Sequence, residues 1–186
     1  RHGVAPSFEH FNVLKGLGEI KCLVDVGANV GQFSLLCRIV HPKAKIHAFE
    51  PLNRAADTFQ KVLGHQPNIV PYRHAIGSEA TDQYMNVTAR ADSSSLLAPD
   101  AQSRIYPGTH VVSRETVSVI PLQVALCDDD ILSPALLKID VQGYEGEVLK
   151  GSERLLDSFT GFSARHHSSN YIQGSRWLMK SLHGWL

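Results

Sequence analysis

Buried-strand patterns, each followed by a segment with helical spacing, recur along this chain. Residues 20–26 (IKCLVDV) keep their apolar side chains together, as in a strand that is covered on both faces of a sheet. The next segment, residues 31–40 (GQFSLLCRIV), has apolar positions three and four residues apart and stops before Pro42. A buried strand that leads into an amphipathic helix is the unit from which parallel sheets are built.

The same unit recurs further along the chain. Residues 44–50 (AKIHAFE) predict a second strand followed by a helix, and residues 68–77 (NIVPYRHAIG) predict a third strand that bends at Pro71. Residues 136–151 (LLKIDVQGYEGEVLKG) repeat strand, turn and helix. We therefore predict one α/β domain over residues 1–186, with a mostly parallel sheet and helices on both of its faces.

Four other segments have weaker patterns. Residues 8–18 have the apolar spacing of a helix, and residues 81–88 (TDQYMNVT) predict a short edge strand. Residues 91–109 are rich in Ser, Pro and Gly, which predicts a loop over the sheet rather than a linker to a second domain. Residues 117–126 (VSVIPLQVAL) predict a further strand.

The C-terminal segment departs from the pattern. After Thr160 a further apolar strand is expected, but the sequence continues with the polar and basic stretch GFSARHHSSNYIQGSRW. We therefore predict that residues 161–186 form an atypical tail and that the C-terminal strands of the sheet are incomplete. A shifted reading frame near Gly161 is one hypothesis for this change, and translation of the other frames would test it.

Composition and charge exclude several classes of partner. The 186 residues include 18 Lys plus Arg and 18 Asp plus Glu, so the net charge is zero, which argues against a nucleic-acid partner. No apolar run approaches the ~18 residues of a membrane span. The ten histidines and three cysteines have no metal-binding spacing. We predict no metal site, and three buried thiols in a reducing, cytoplasmic compartment; no pattern specifies an oligomeric state.

The first strand ends in the glycine turn DVGANVG, at the edge where open parallel sheets bind ligands. Gly27 lets the backbone approach a ligand without a Cβ in the way, and Gly31 lets the next helix pack closely. Dinucleotide binders require G-x-G-x-x-G, and Asp25 stands where the first of these glycines would be. An acid suits the ammonium of S-adenosylmethionine, held directly or through water, better than a pyrophosphate. A tight turn without a ligand is the alternative.

Two further strand ends offer contacts to such a cofactor. Glu50 lies 23 residues after Gly27, where an acid can accept hydrogen bonds from ribose hydroxyls, and Pro51 would hold this carboxylate at the strand end. Ala75 and Ile76 end the third strand and would border adenine in an apolar slot. The alternatives are helix N-terminal electrostatics for Glu50 and plain core packing for Ala75 and Ile76.

The last strand–helix unit supplies the candidate for chemistry. Asp140 ends its strand beside the first turn, where a carboxylate can accept a proton from a substrate hydroxyl or help to bind a metal. Helix capping is the alternative for Asp140. Glu145 stands at the helix start, where we predict a structural role. Lys138 is predicted to point away, as a satisfied core or edge residue.

Taken together, these motifs resemble those of one known family. The segments VDVGANVGQFS, AFEP, HAIG, DSSSLL and LLKIDVQGYEGEVLKGSERLL are similar, in order and over about Leu23 to Leu156, to the FkbM family of S-adenosylmethionine-dependent methyltransferases. The resemblance implies the Rossmann-like class I methyltransferase fold. It also implies transfer of a methyl group from S-adenosylmethionine to a hydroxyl of a sugar, a polyketide or another natural product, which is a small-molecule hydroxylated substrate.

The resemblance also implies a role for each matching residue. The turn beside the methionine part of the cofactor would consist of Asp25, Gly27, Ala28, Asn29 and Gly31. Glu50, followed by Pro51, would take the ribose, while Ala75 and Ile76 would flank the adenine. Ser94 would lie near the cofactor in the loop Ser93 to Ser95, and Asp140 near the transferred methyl, as base or orienter. The CDDD segment at 127–130 would be a helix start.

Three functional hypotheses follow. The first is an O-methyltransferase that uses S-adenosylmethionine, with attack of a substrate oxygen on the methyl carbon in line with the sulfonium. The second is a methyltransferase-like domain that binds the cofactor without turnover, because the C-terminal part is altered. The third, an NAD-dependent dehydrogenase, is disfavoured by Asp25 and by the missing glycine.

Overall fold

The computed structural model describes residues 3–88, 96, 111–166 and 169–173. Its strands, in chain order, are β1 (Cys22–Val26), β2 (Lys45–Phe49), β3 (Ile69–Tyr72), β4 (Ala75–Ile76), β5 (Thr81–Thr88), β6 (Val111–Ile120), β7 (Ala135–Ile139), β8 (Gly161–His166) and β9 (Ser169–Gln173). Its helices are α1 (Phe11–Gly16), α2 (Gln32–Val40), α3 (Asn53–Val62), α4 (Leu122–Ala125) and α5 (Glu145–Lys150). Single 3₁₀ segments lie at Phe8–His10, Asp128–Asp130 and Glu153–Ser158.

A six-stranded sheet in the order β3-β2-β1-β7-β8-β9 forms the centre of the fold. The first five of these strands are parallel, and β9 pairs antiparallel with β8. Every residue of β1 and β7 is buried, because side chains from both faces of the sheet enter a core. The α/β fold with a mostly parallel sheet is therefore confirmed.

Helices cover both faces of this sheet, as predicted. On one face, Leu23 and Leu136 pack with Phe33 of α2 and Phe59 of α3. On the other face, the core includes apolar side chains from β1, β2 and β7 and from the α4 and α5 segments, namely Val24, Val26, Phe49, Leu122, Leu137, Ile139, Val148 and Leu149. This double coverage explains why the strands read as unbroken apolar runs instead of alternating ones.

A second, three-stranded sheet in the order β4-β6-β5 corrects two predicted boundaries. The predicted third strand over 68–77 is two strands, because β3 pairs with β2 whereas β4 pairs with β6. The predicted strand over 117–126 is displaced: β6 ends at Ile120, and residues 122–125 are helical after Pro121. The edge strand predicted over 81–88 is present as β5. Apart from Leu96, the predicted loop over 91–109 lies outside the described residues.

The strand whose apolar pattern is missing after Thr160 is present in the structure. Strand β8 continues the parallel sheet, with Gly161 opposite Leu136 and Phe162 opposite Leu137. Phe162 is buried, and a Cβ at Gly161 would lie 3.2 Å from the Leu136 Cδ1 atom. Small residues at this strand therefore fit close packing against β7, although they lack the β-branched signature of a strand. The missing strand that motivated the frame-shift hypothesis is thus present.

The three cysteines are free thiols, but only two of them are buried. Burial raises the pKa of Cys22 to about 11 and that of Cys37 to about 12. The prediction of a third buried thiol is wrong, since Cys127 is exposed at the start of the 3₁₀ segment Asp128–Asp130. There its amide donates to the Asp130 carboxylate at 3.1 Å, so the CDDD segment is a helix start, as predicted.

Substitution of Gly31 by alanine should destabilise the fold. Gly31 has φ of 91°, and a Cβ there would lie 2.9 Å from Phe59 Cδ2 and 3.0 Å from Leu63 Cδ1. We expect Gly31→Ala to lower the free energy of unfolding by about 1–3 kcal/mol, because the backbone is strained and the α3 side chains must move. Urea unfolding followed by circular dichroism measures this change.

Gly146→Ala is the matched control for this substitution. Gly146 lies within α5, and nothing lies within 4 Å of an added Cβ. Alanine there should raise the free energy of unfolding by about 0.5–1 kcal/mol, because it restricts the unfolded chain. Equal effects at the two positions would contradict the proposed role of Gly31 in packing α2 against α3.

Candidate cofactor and catalytic site

A cavity of about 270 Å³ opens where β1 and β7 end, at the carboxyl edge of the sheet. This is the place at which open parallel sheets bind ligands. Five of the predicted site residues line it: Gly27, Ala28, Asn29, Glu50 and Asp140. It is also lined by residues outside that prediction, namely Ser7, Glu9, His10, Gln32, Phe33, Leu52, Met85, Lys138 and Gln142.

The glycine turn forms one wall of this cavity. Gly27 has φ of 75° and Asn29 has φ of 50°, so the chain reverses tightly after β1. The amides of Gly27 and Ala28 both donate to the Phe49 carbonyl oxygen at 3.0 Å. A Cβ at Gly27 would collide with the Asp140 carbonyl oxygen. Gly27 is thus required because the turn after β7 lies too close for a side chain. The sequence analysis had explained this glycine by the approach of a ligand instead.

Glu50 is anchored at the cavity wall by two backbone donors. Its Oε2 accepts a hydrogen bond from the Asn29 amide at 2.8 Å, and its Oε1 accepts one from the Leu52 amide at 3.0 Å. Burial raises the pKa of this carboxyl above its ordinary value, while the two amides oppose that rise. Each carboxylate oxygen has a further lone pair, so Glu50 can accept hydrogen bonds from ribose hydroxyls.

Asp25 lies behind the cavity wall. Its side chain is fully buried; Oδ2 accepts a 2.7 Å hydrogen bond from the Ser34 hydroxyl, and Oδ1 lies 2.8 Å from Lys138 Nζ. Asp25 is predicted to hold the cofactor ammonium directly or through water, but its side chain does not line the cavity and its charge is compensated by Lys138. Any effect of Asp25 on a ligand acts through its neighbours.

Lys138 faces the site, which corrects the prediction that it points away. Its ammonium donates to the Gly27 carbonyl oxygen at 2.8 Å, and its side chain lines the cavity. Lys138 and Asp25 are register partners on adjacent strands. One sequence signal could have revealed this pair: each is a lone charge in a buried strand, and a buried charge requires a partner of opposite sign.

Asp140 begins the turn that follows β7. Its amide donates to the Val26 carbonyl oxygen at 3.0 Å, and its Oδ1 accepts a 3.1 Å hydrogen bond from Gln142 Nε2. Gln142 itself has a left-handed backbone conformation, with φ of 55°. Glu145 accepts a hydrogen bond from the Gly143 amide at 3.0 Å and has the structural role predicted for it.

A smaller apolar pocket of about 50 Å³ adjoins the main cavity and shares Gly27, Met85 and Asp140 with it. Three further residues of the predicted site, Pro51, Ala75 and Ile76, line this pocket. Phe49, Val141 and Tyr144 complete much of the apolar surface. The predicted contact at Ser94 lies outside the described residues, whereas Leu96, two positions further along the chain, lines the small pocket.

The N-terminal segment covers the main cavity, which the helical pattern of residues 8–18 did not reveal. The Ser7 amide donates to the Gln32 carbonyl oxygen at 3.3 Å. The His10 ring packs edge-on against Phe33, with 5.5 Å between ring centroids. These contacts join the segment to the start of α2, so Ser7, Glu9 and His10 form part of the cavity wall.

Comparison with known proteins identifies the family. The family model described as the methyltransferase FkbM domain matches residues 25–175, which include the glycine turn, Glu50, Asp140 and strand β8. This chain belongs to the FkbM methyltransferase family. The matched segment runs beyond Gly161, where the sequence pattern alone predicted a departure from the family.

Several known proteins resemble this FkbM-family chain. The hexuronic acid methyltransferase AglP of Haloferax volcanii is 30% identical over 153 residues, which cover 78% of this chain and 56% of AglP. The 31-O-demethyl-FK506 methyltransferase FkbM of Streptomyces tacrolimicus is 30% identical over 156 residues, covering 69% of this chain and 58% of that protein. The chain thus spans just over half the length of these relatives.

A crystal structure of the methyltransferase FkbM from Methylobacillus flagellatus has the same fold. It matches 88% of this chain and 38% of its own chain with a TM-score of 0.54, at 18% sequence identity. Within the described residues of the FkbM-family chain, no three His, Cys, Asp or Glu side chains lie close enough together to hold a metal ion. None of the described helices is long and apolar enough to cross a membrane.

The raised pKa of Glu50 predicts a pH dependence of stability. The pKa of Glu50 is raised above its ordinary value of 4.5, so the folded state binds a proton on Glu50 more tightly than the unfolded state does. The free energy of unfolding should therefore fall as pH rises from 4.5 through the folded pKa. Urea unfolding at several pH values tests this. The free energy of unfolding of the wild type minus that of Glu50→Gln should decrease as pH rises from 4.5 through the folded pKa.

Glu147→Gln should show the opposite sign and is the control. Lys150 and Ser78 lower the pKa of Glu147 below its ordinary value, so the stabilisation by Glu147 is present above 4.5 and is lost as pH falls through the folded pKa. If the difference in free energy of unfolding between wild type and Glu50→Gln stays constant with pH, burial does not shift the pKa of Glu50.

Proposed function

We propose that this chain is an S-adenosylmethionine-dependent O-methyltransferase that acts on a hydroxyl of a sugar, a polyketide or another small natural product. The observation that carries the proposal is Glu50, a buried carboxylate fixed by the Asn29 and Leu52 amides at the cavity wall. Retaining a buried acid at this point of the sheet is costly for folding, and such costs concentrate at functional sites.

The donor set fits the parts of an adenosyl cofactor. Glu50 would accept hydrogen bonds from the ribose hydroxyls, and the apolar pocket lined by Pro51, Ala75 and Ile76 suits the faces of adenine. The turn Gly27–Asn29 would border the methionine part. Bound S-adenosylmethionine would supply an electrophilic methyl group on a sulfonium. The turn lacks the first glycine of the dinucleotide fingerprint and has Asp25 in its place, which disfavours NAD.

Asp140 is the proposed orienter or base for the substrate hydroxyl. It lies at both the main cavity and the apolar pocket, and the bond from Gln142 fixes one of its oxygens. This carboxylate can accept the hydroxyl proton as the substrate oxygen forms its bond to carbon. The main contribution of the remaining walls is to hold the two reactants in line.

The proposed substrate class also rests on relatives. AglP is named as a methyltransferase of a hexuronic acid and the Streptomyces protein as a methyltransferase of 31-O-demethyl-FK506, and both names agree with the proposed acceptor class. The balanced charge of this chain agrees with a small-molecule substrate rather than a nucleic acid. The exposed free thiol of Cys127 supports a reducing compartment such as the cytoplasm.

Calorimetric titration with S-adenosylhomocysteine tests the cofactor assignment. We expect the wild type to bind this product and not NAD. Glu50→Gln should weaken binding by about 10- to 100-fold, because charge-assisted hydrogen bonds to the ribose are lost. Glu147→Gln should bind as the wild type does, because Glu147 lines neither the main cavity nor the apolar pocket. Tighter binding of NAD than of S-adenosylhomocysteine would contradict the proposal.

A methyl-transfer assay on a panel of hydroxylated sugars and polyketides tests turnover. Asp140→Asn should lower kcat by about 10²- to 10⁴-fold, because amide oxygen is a much weaker proton acceptor than carboxylate. Its affinity for S-adenosylhomocysteine should change little. Binding of the product by the wild type without methyl transfer to any member of the panel would favour the alternative, a cofactor-binding domain without turnover.

A further inference from the structure

The ammonium of Lys138 is enclosed by three groups from different parts of the fold. Asp25 Oδ1 lies 2.8 Å from Nζ, the Gly27 carbonyl oxygen accepts a hydrogen bond at 2.8 Å, and the Phe33 ring centroid lies 5.8 Å away. An ammonium has three N–H donors and no acceptor, and an aromatic face attracts a cation. The side chain is 9% exposed, so these contacts are made largely away from water.

The contact with Gly27 fixes the orientation of one peptide group. The Gly27 carbonyl and the Ala28 amide belong to the same planar unit. Lys138 holds the carbonyl end of this unit, and the Phe49 carbonyl accepts a hydrogen bond from the amide end at 3.0 Å. Gly27 has φ of 75°, which is one of many backbone conformations open to a glycine. The two contacts therefore select one orientation of the peptide group.

The next amide along the same turn is the one that binds Glu50. The Asn29 amide donates to Glu50 Oε2 at 2.8 Å, and Asn29 itself has φ of 50°. The Glu50 carboxylate is therefore aligned by a turn whose first peptide Lys138 holds. On its own strand, Lys138 lies two residues before Asp140, so the same side chain joins the predicted cofactor turn to the turn that carries Asp140.

We propose that Lys138 is a positioning residue, which holds the Gly27–Ala28 peptide and thereby aligns Asn29 and Glu50 for the cofactor. The ion pair with Asp25 holds the ammonium in place. This inference rests on the proposed function for its ligand, but its structural part concerns the free protein. A purely structural Lys138 would balance the charge of Asp25 and do nothing more.

The double variant Asp25→Asn/Lys138→Met separates these two roles. Lys138→Met alone leaves the buried Asp25 charge uncompensated and should be strongly destabilised. The double variant removes both charges and keeps the Ser34 hydrogen bond, so its stability in urea should recover. Its Gly27 carbonyl still has no ammonium donor, so the Asn29 amide should exchange with solvent about tenfold faster and S-adenosylhomocysteine should bind about tenfold more weakly.

Two further variants control this experiment. Lys45 lies on the neighbouring strand β2, with its ammonium 3.3 Å from Asp130 Oδ1. Lys45→Met breaks this second lysine–aspartate pair and should leave amide exchange at Asn29 and the affinity for S-adenosylhomocysteine unchanged. Lys138→Arg keeps a positive charge beside Asp25 and should fold even if the double variant does not. Its planar head group displaces the donor from the Gly27 carbonyl, so we expect the same faster exchange at Asn29.

Amide exchange by nuclear magnetic resonance and calorimetric titration together decide between the outcomes. Wild-type exchange at Ala28 and Asn29 in the stable double variant, or in Lys138→Arg if the double variant does not fold, would overturn the proposal. Loss of affinity without faster exchange would overturn it too and would indicate direct contact between Lys138 and the ligand. If the variants exchange faster but the wild type does not bind S-adenosylhomocysteine, the positioning role of Lys138 is supported and the proposed cofactor is refuted.

Discussion

The close approach of two neighbouring turns is the constraint on which this site depends. Strands β1 and β7 are adjacent and parallel, so both end at the same edge of the sheet. There the Gly27 α-carbon packs against the Asp140 carbonyl, with no room for a side chain, and Lys138 bonds to the Gly27 carbonyl across the gap. The cavity lies directly beside this junction, and its acidic residues take their positions from it.

Charged groups in the interior distinguish this edge from the rest of the core. Asp25, Lys138 and Glu50 are all buried, and an apolar replacement of such an ion pair is often neutral or stabilising. Elsewhere in the strands of the large sheet the core is largely aliphatic and aromatic. The concentration of buried charge at one strand edge agrees with the cofactor site proposed for this FkbM-family chain.

The parts of this protein that could be predicted from the sequence are those set by local patterns. Unbroken apolar runs identify β1, β2 and β7, because parallel strands are covered on both faces. Glu50 and Asp140 could be placed at the site because each ends such a run. Strand β8 was missed because Gly161, Ser163 and Ala164 lack the bulky side chains by which strands are recognised, while its burial comes from the neighbouring strand.

The missed features depend on contacts between distant parts of the chain. The partner of Lys138 is set by the register of β1 against β7, so its orientation could not be read from its own strand. The cover formed by Ser7 and His10 depends on packing against α2. The sequence pattern predicts one strand over residues 68–77. Residues 75–76 form a separate strand only because they pair with β6, and such pairing is not visible in the local sequence.

A crystal structure of this chain with S-adenosylhomocysteine would test the central claim most directly. The account predicts that the Glu50 carboxylate lies at hydrogen-bond distance, about 2.5–3.0 Å, from the ribose hydroxyls. It also predicts that adenine lies in the pocket of Pro51, Ala75 and Ile76, with the thioether sulfur towards Asp140. A ligand bound elsewhere, or one whose ribose has no contact with Glu50, would contradict it.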